Sequence, residues 1–213
     1  MPRRLKLDMD PANTSLTRYA SNATGATWAL AQTTPGDSLA RVVTIRNDAA
    51  VDHSAKTAIL TGTDADGRAQ TETVNLPGVS ATITSTKHFL TLTTVVPSAT
   101  IGGDTMDIGI GDDIVSKTVP LNHWSEVACG FMLDVTGTID VDVELTFDPP
   151  NQPNEFTWTD QGTPVWMNST NVAAATADVF TTLDQNAYAA RVRINTYTDT
   201  AELQAWFSQT ERQ

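Results

Sequence analysis

Thr61-Gly62-Thr63-Asp64-Ala65-Asp66-Gly67-Arg68-Ala69-Gln70-Thr71-Glu72-Thr73 (TGTDADGRAQTET) admits two readings, and the choice between them sets the fold class. A calcium loop of the helix–loop–helix kind needs D-x-[DN]-x-[DN]-G and a bidentate Glu six residues beyond the glycine. With that glycine on Gly67, the first ligand position falls on Gly62 and the last on Thr73, one residue past Glu72. Both positions lack a carboxylate, so Asp64, Asp66 and Glu72 stand only as weak metal candidates, and no metal or other cofactor is expected. The flanking segments decide the matter. Residues 57–63 and 68–76 are rich in Thr and β-branched residues, and Asp-Ala-Asp-Gly between them supplies turn chemistry with a positive φ at Gly67. The stretch predicts a β-hairpin.

The same period-2 logic extends along the chain. In Asp140–Phe147, Val141, Val143, Leu145 and Phe147 share one face, while Asp140, Asp142, Glu144 and Thr146 share the other. That predicts a half-buried strand with an acidic solvent face. Ala190–Asn195 alternates likewise and, through a turn around Asp199-Thr200, forms a hairpin with residues 202–207. Further strands are expected near 27–32, 41–47, 86–95 and 106–110. Turn-rich separators recur between them, as a β-sandwich or barrel requires. The only short helical candidates lie near Asn171–Ala177 and Thr182–Asn186.

The expected architecture is all-β, with two β-sandwich-like domains built from antiparallel hairpins. Residues 1–112 form the first, Thr-rich and preceded by a basic amino-terminal arm; residues 113–213 form the second. Trp28 alone of the five tryptophans lies in the first half; Trp124, Trp158, Trp166 and Trp206 lie in the second. Asp148-Pro149-Pro150-Asn151-Gln152-Pro153-Asn154 reads as a long loop.

Charge and composition exclude several functions. The 213 residues carry 25 acids against 13 bases, a net charge of −12, which repels nucleic acid. Three of the bases, Arg3, Arg4 and Lys6, lie within the first six residues and are the candidate partner-binding positions, an arm for an acidic neighbouring subunit. No apolar run approaches a membrane span and no signal peptide is read, so a protein made in the cytoplasm, without a membrane partner, is expected. A single cysteine, Cys129, allows no disulfide framework, and its apolar surroundings predict a buried thiol.

Catalytic motifs are missing from the sequence. His53, His88 and His123 lack metal-ligand spacing, and His88 reads as a sheet-face residue. Neither a nucleophile elbow nor a phosphate loop is present. Asp104, Asp107, Asp112 and Asp113 could gather around one cation, and Asp134, Asp140, Asp142 and Asp148 could supply a glycosidase-like carboxylate pair. Since Asp140 and Asp142 alternate with core residues, an enzyme is not expected. Only 18% of residues are charged, against about 25% for an ordinary soluble domain. That composition suits a protein packed against neighbours.

Several segments resemble tailed-bacteriophage virion structural proteins: Trp28-Ala29-Leu30, Gly36–Ile45, Asp52–Thr57, Thr61–Gly78 and Ser85–Phe89. Pro164-Val165-Trp166 and the closing segment Ala189–Thr198 are similar to a second phage pattern. The resemblance implies a place in the virion beside the major capsid protein or other virion proteins, and it transfers no catalytic residue. The resemblance points to no particular place on the particle. An acidic, all-β, cysteine-poor chain without nucleic-acid features suits its outside. The first expectation is therefore a capsid decoration or cement protein on the outer shell, working by buried interface area as a homo-oligomer. The alternatives are a neck or tail collar, ring or fibre-attachment protein, and a carbohydrate-binding β-sandwich module with aromatics in a line.

Overall fold

The computed structural model describes residues 2–121, 129–148, 164–183, 187–198 and 200–210. The expected loop from Pro149 to Asn154 lies outside them, as do His123, Trp124, Trp158 and Asp199. The described residues contain no α-helix and fifteen strands, and the strands pair in antiparallel register. The fold is all-β. In chain order the strands are β1 (Pro2–Met9), β2 (Ser15–Ala23), β3 (Ala40–Asn47), β4 (Thr57–Thr63), β5 (Ala69–Asn75), β6 (Thr82–Phe89), β7 (Thr91–Pro97) and β8 (Met106–Val115). They continue with β9 (Val119–Pro120), β10 (Gly130–Thr136), β11 (Ile139–Thr146), β12 (Met167–Asn168), β13 (Val179–Thr182), β14 (Ala189–Tyr197) and β15 (Glu202–Thr210).

The chain divides into two compact units, Pro11–Val115 and Met1–Asp10 with Ser116–Gln213. The division after Val115 falls three residues beyond the expected boundary at 112. The amino-terminal segment requires a larger correction. Residues 1–10 belong with the carboxy-terminal half, because β1 pairs with β15 from Pro2↔Thr210 to Met9↔Leu203. Leu5 and Leu7 alternate with Arg4, Lys6 and Asp8, so the basic segment has a strand's pattern, and β15 completes its backbone hydrogen bonds.

In the unit Pro11–Val115, β8-β3-β6 with β2 on β8 forms one layer and β5-β4-β7 the other. A single core lies between them, with Tyr19, Trp28, Ile45, Leu60, Phe89, Leu92 and Ile108 among its buried members, contributed by both layers. This is a sandwich. The expected strand 86–95 is two strands: the chain turns a corner at Leu90, whose N–H donates to the Thr63 carbonyl (2.9 Å), and passes from one layer to the other. Residues 27–32 are not a strand; Trp28 makes one bridge to Val95, while the Ala31 and Gln32 amides both donate to the Tyr19 carbonyl. Two glycines are fixed by close approach. A Cβ on Gly62 would lie 1.9 Å from the Thr91 carbonyl oxygen at the β4–β7 irregularity, and one on Gly109 would lie 2.0 Å from that of Ser15.

An internal ion pair closes this unit. Arg41 and Asp37 have side chains 0% and 3% exposed. The Arg41 guanidinium also donates to the Gly111 carbonyl (3.1 Å) and the Ala12 carbonyl (2.6 Å), and Asp37 accepts from the Ala12 amide (3.1 Å). The two charges of this pair are thereby matched by each other and by backbone groups, as burial demands. Nearby, burial and then the Asp37 charge hold the Tyr19 phenol in its neutral form far above its ordinary pKa.

In the other unit, one layer is β1-β15-β10-β13 and the second runs β12-β11-β14, with β9 on β14. Phe131 and Phe207, opposite each other on β10 and β15, meet edge to face at 5.1 Å, and Val141, Val143, Val192 and Ile194 are fully buried. The helical candidate over 171–177 is a turn instead. The Ala175 N–H and C=O both bond to Val141, so β11 captures the backbone that a helix would have used. Of the other candidate, Thr182–Asn186, Thr182 is the last residue of β13, and residues 184–186 are outside the described set.

Candidate interaction surface

The acidic positions singled out by sequence do not converge. In the β4–β5 turn, the Asp64 carboxylate accepts from the Asp66 and Arg68 amides (both 2.9 Å) and from Arg68 Nε (2.8 Å), while Asp66 accepts from Arg68 (3.0 Å). Glu72 faces the other way and accepts from the Thr86 amide and hydroxyl and the Lys87 amide, at 2.8 to 2.9 Å. Gly67 has the positive φ (81°) the turn requires. Asp104 contacts His53 (2.9 Å), Asp107 accepts from the Asn22 amide (3.0 Å), and Asp113 contacts His88 (2.8 Å). Among the described residues no group of three or more His, Cys, Asp or Glu is placed to hold a metal ion. His88 sits on β6, as expected of a sheet residue.

The acidic face of β11 is the second correction. Asp142, Glu144 and Thr146 are buried rather than solvated. In register on β14, Arg191 lies opposite Glu144 and Arg193 opposite Asp142. Glu144 pairs with Arg191 (2.5 Å) and Arg193 (3.3 Å); Asp142 accepts from Asn195 (2.9 Å) and from the Ala174 amide (2.7 Å). The Arg191 guanidinium lies 4.4 Å from the Trp166 ring centroid. Two acids and two arginines neutralise one another across the ribbon, so this face is a structural network. Asp134 is on β10, in the other layer, and does not join it. Ala174 holds a positive φ (50°) where its amide meets Asp142.

Two outward sheet faces remain. On β5-β4-β7 the cross-strand rows are Thr73–Ile59–Val96, Thr71–Thr61–Thr94 and Ala69–Thr63–Thr91, with Asn75–Thr57 beside them. These side chains are exposed or half-buried, and none is charged. Glu72 is on the opposite side of β5, and Lys87 reaches only the margin, donating to the Thr71 carbonyl (2.8 Å). Ile59 is 47% and Val96 38% exposed, and the Thr63 and Thr91 hydroxyls bond each other at 2.7 Å. An exposed sheet face without charge is unusual for a soluble surface, where roughly a quarter to a third of residues are charged, and it stands out in a chain of net charge −12.

The second face belongs to β1-β15-β10-β13. Of the basic candidates, Arg4 and Lys6 are exposed on β1; Lys6 pairs with Asp8 (2.7 Å) and lies 5.3 Å from the Trp206 ring centroid. Arg3 is opposite Gln209 in the same ladder. The segment is therefore the edge strand of a sheet, with Arg4 and Lys6 exposed along it. The β1-β15-β10-β13 face is assembled from strands distant in the chain, and on the other face the sequence marks the β4–β5 hairpin but not the docking of β7 beside β4 that completes it.

No protein-family model matches the chain, and no curated protein matches it. Among solved structures, the chain is similar to the major capsid protein P2 from bacteriophage PM2, with 10% identity over 98% of this chain and 99% of that one. The TM-score is 0.22, and a superposition that loose carries no argument about fold or role.

Proposed function

We propose that the chain is a non-enzymatic structural component of a bacteriophage particle, bound to the outer capsid shell as a decoration or cement protein. The charge-free face of β5-β4-β7 carries this reading. Threonine methyls with Ile59 and Val96 form a stiff, β-branched surface that loses little rotamer entropy on docking. A neighbouring protein can cover it without desolvating a charge. The phage resemblance of Trp28–Leu30, Gly36–Ile45, Asp52–Thr57, Thr61–Gly78 and Ser85–Phe89, and of Pro164–Trp166 and Ala189–Thr198, supports the setting.

Magnitude favours many copies. Three strands about 4.8 Å apart and four rows about 6.7 Å apart offer roughly 350 Å². A stable pairwise complex needs about 800 Å² per partner. One such contact is weak, and repetition over a shell makes it effective.

The test is copy number in purified particles, by quantitative mass spectrometry against the major capsid protein. A ratio near one, or one-third, of the capsid subunits is expected for a decoration protein. A dozen or so copies per particle moves the protein to the neck or tail, and absence from particles overturns the reading.

A further inference from the structure

On β1-β15-β10-β13, Lys6, Trp206, Met132 and Phe180 lie opposite one another across four strands. Phe180 is 87% exposed and Met132 38%. A contiguous apolar row on a surface marks an interaction site, and aromatic and Met side chains are those that interface cores enrich. Charge reverses across this row. Two residues along the strands in one direction lies Arg4–Ser208–Gly130–Thr182, with a base and no acid. Two residues in the other direction lies Asp8–Gln204–Asp134, with acids and no base. Asp178, next to β13, and Glu202, at the start of β15, extend the acidic side.

We propose that a second copy of this chain docks on this face about a two-fold axis running along the row. Charge complementarity selects both the occupant and the axis. A two-fold along the row lays Trp206, Met132 and Phe180 on their own copies and turns the basic row onto the acidic one, Arg4 over Asp8 of the second copy. A two-fold along the strands lays acids on acids. The two Lys6 ammonium groups approach near the axis, and each is already neutralised by its own Asp8 at 2.7 Å. Closed two-fold pairs are the commonest homo-oligomers, and their interfaces are self-complementary in this way. The inference rests on this sheet alone and is measured on the isolated protein, so it can fail while the virion reading stands, and the reverse.

The test is sedimentation velocity of the full chain over a concentration series. A dimer is expected, with Kd raised roughly tenfold or more in Phe180→Ala, whose side chain is exposed and whose loss leaves the core intact. Arg4→Glu is expected to weaken the dimer, and Arg4→Glu with Asp8→Lys to restore it. In a Cys129→Ser background, M132C crosslinks across the axis on oxidation whereas T182C does not. A monomer at every concentration overturns the proposal. So does a larger oligomer, or a dimer indifferent to Phe180→Ala and Arg4→Glu in which M132C fails to crosslink.

Discussion

The two outward sheet faces are built alike and equipped differently. On β5-β4-β7 the outward positions hold threonine and aliphatic residues in every row, and charge is kept to the opposite side at Glu72. On β1-β15-β10-β13 one apolar row is flanked by a base on one side and acids on the other. A surface without charge accepts any flat, uncharged neighbour and fixes orientation only through shape. A surface with a charge reversal fixes direction, because the wrong overlay sets like charges together. The difference teaches that the alternating pattern sets only which residues face out, whereas the identity of those residues decides whether docking is directional.

The largest expected effect removes one face and spares the other. Gly62→Ala places a Cβ against the Thr91 carbonyl, so β4 and β7 must separate. The expected loss is more than about 4 kcal/mol, the range of severe backbone conflict. Hydrogen exchange is then expected to show β4, β5 and β7 unprotected while β10 and β15 remain protected; equal loss in both units breaks the separation of the faces.

Glu144→Ala acts on the other unit. It removes the carboxylate that Arg191 and Arg193 both contact from a buried position, at a cost of about 1–3 kcal/mol. Denaturant titration checks it, and a cost under about 1 kcal/mol means the β11–β14 network is solvated after all.

Cys129 probes the base of β10. Burial pushes its thiol up to about 11, with a weaker opposing hydrogen bond from the Ser208 backbone. The folded value lies above the unfolded thiol's ~8.5, so this contribution to stability is present below pH ~8.5 and is lost as pH rises through about 11. Alkylation at pH 8 is expected to run roughly two orders of magnitude slower in the native protein than in urea; equal rates place Cys129 at the surface.

Ala174→Gly is expected to stabilise by about 0.5–1 kcal/mol, since the positive φ at Ala174 suits glycine. A drop in Tm contradicts that. The smallest stability change is expected for Ile59→Lys, within about 0.5 kcal/mol at an exposed position. If the uncharged face docks, this variant nonetheless fails to assemble into particles, and normal incorporation removes β5-β4-β7 from consideration.

Much of the fold was legible locally. The hairpin of β4 and β5 is bounded within a residue or two by its own turn chemistry, because Asp64 and Gly67 need no distant partner. β14 and β15 are each legible as strands by their clean alternation, but the hairpin expected of them does not form: β14 pairs with β11 in one layer, and β15 pairs with β1 and β10 in the other. β2 is hidden because its pairing with β8 shifts register twice, which breaks the period. The buried acids of β11 were misread although a signal existed: Asp142 and Glu144 alternate just as Arg191 and Arg193 do, and the two strands neutralise each other when paired.

Sequence by itself determined the antiparallel all-β class, the turn at Asp64–Gly67 and the inward faces of most strands, since backbone preference and burial are written into near neighbours. Tertiary structure alone decided that β1 joins β15, that the chain changes layer at Leu90, and which side chains share a row on each outward face. Those outcomes depend on strand pairing across most of the chain, where the energy lies in registered contacts between segments that carry no local mark of their partner.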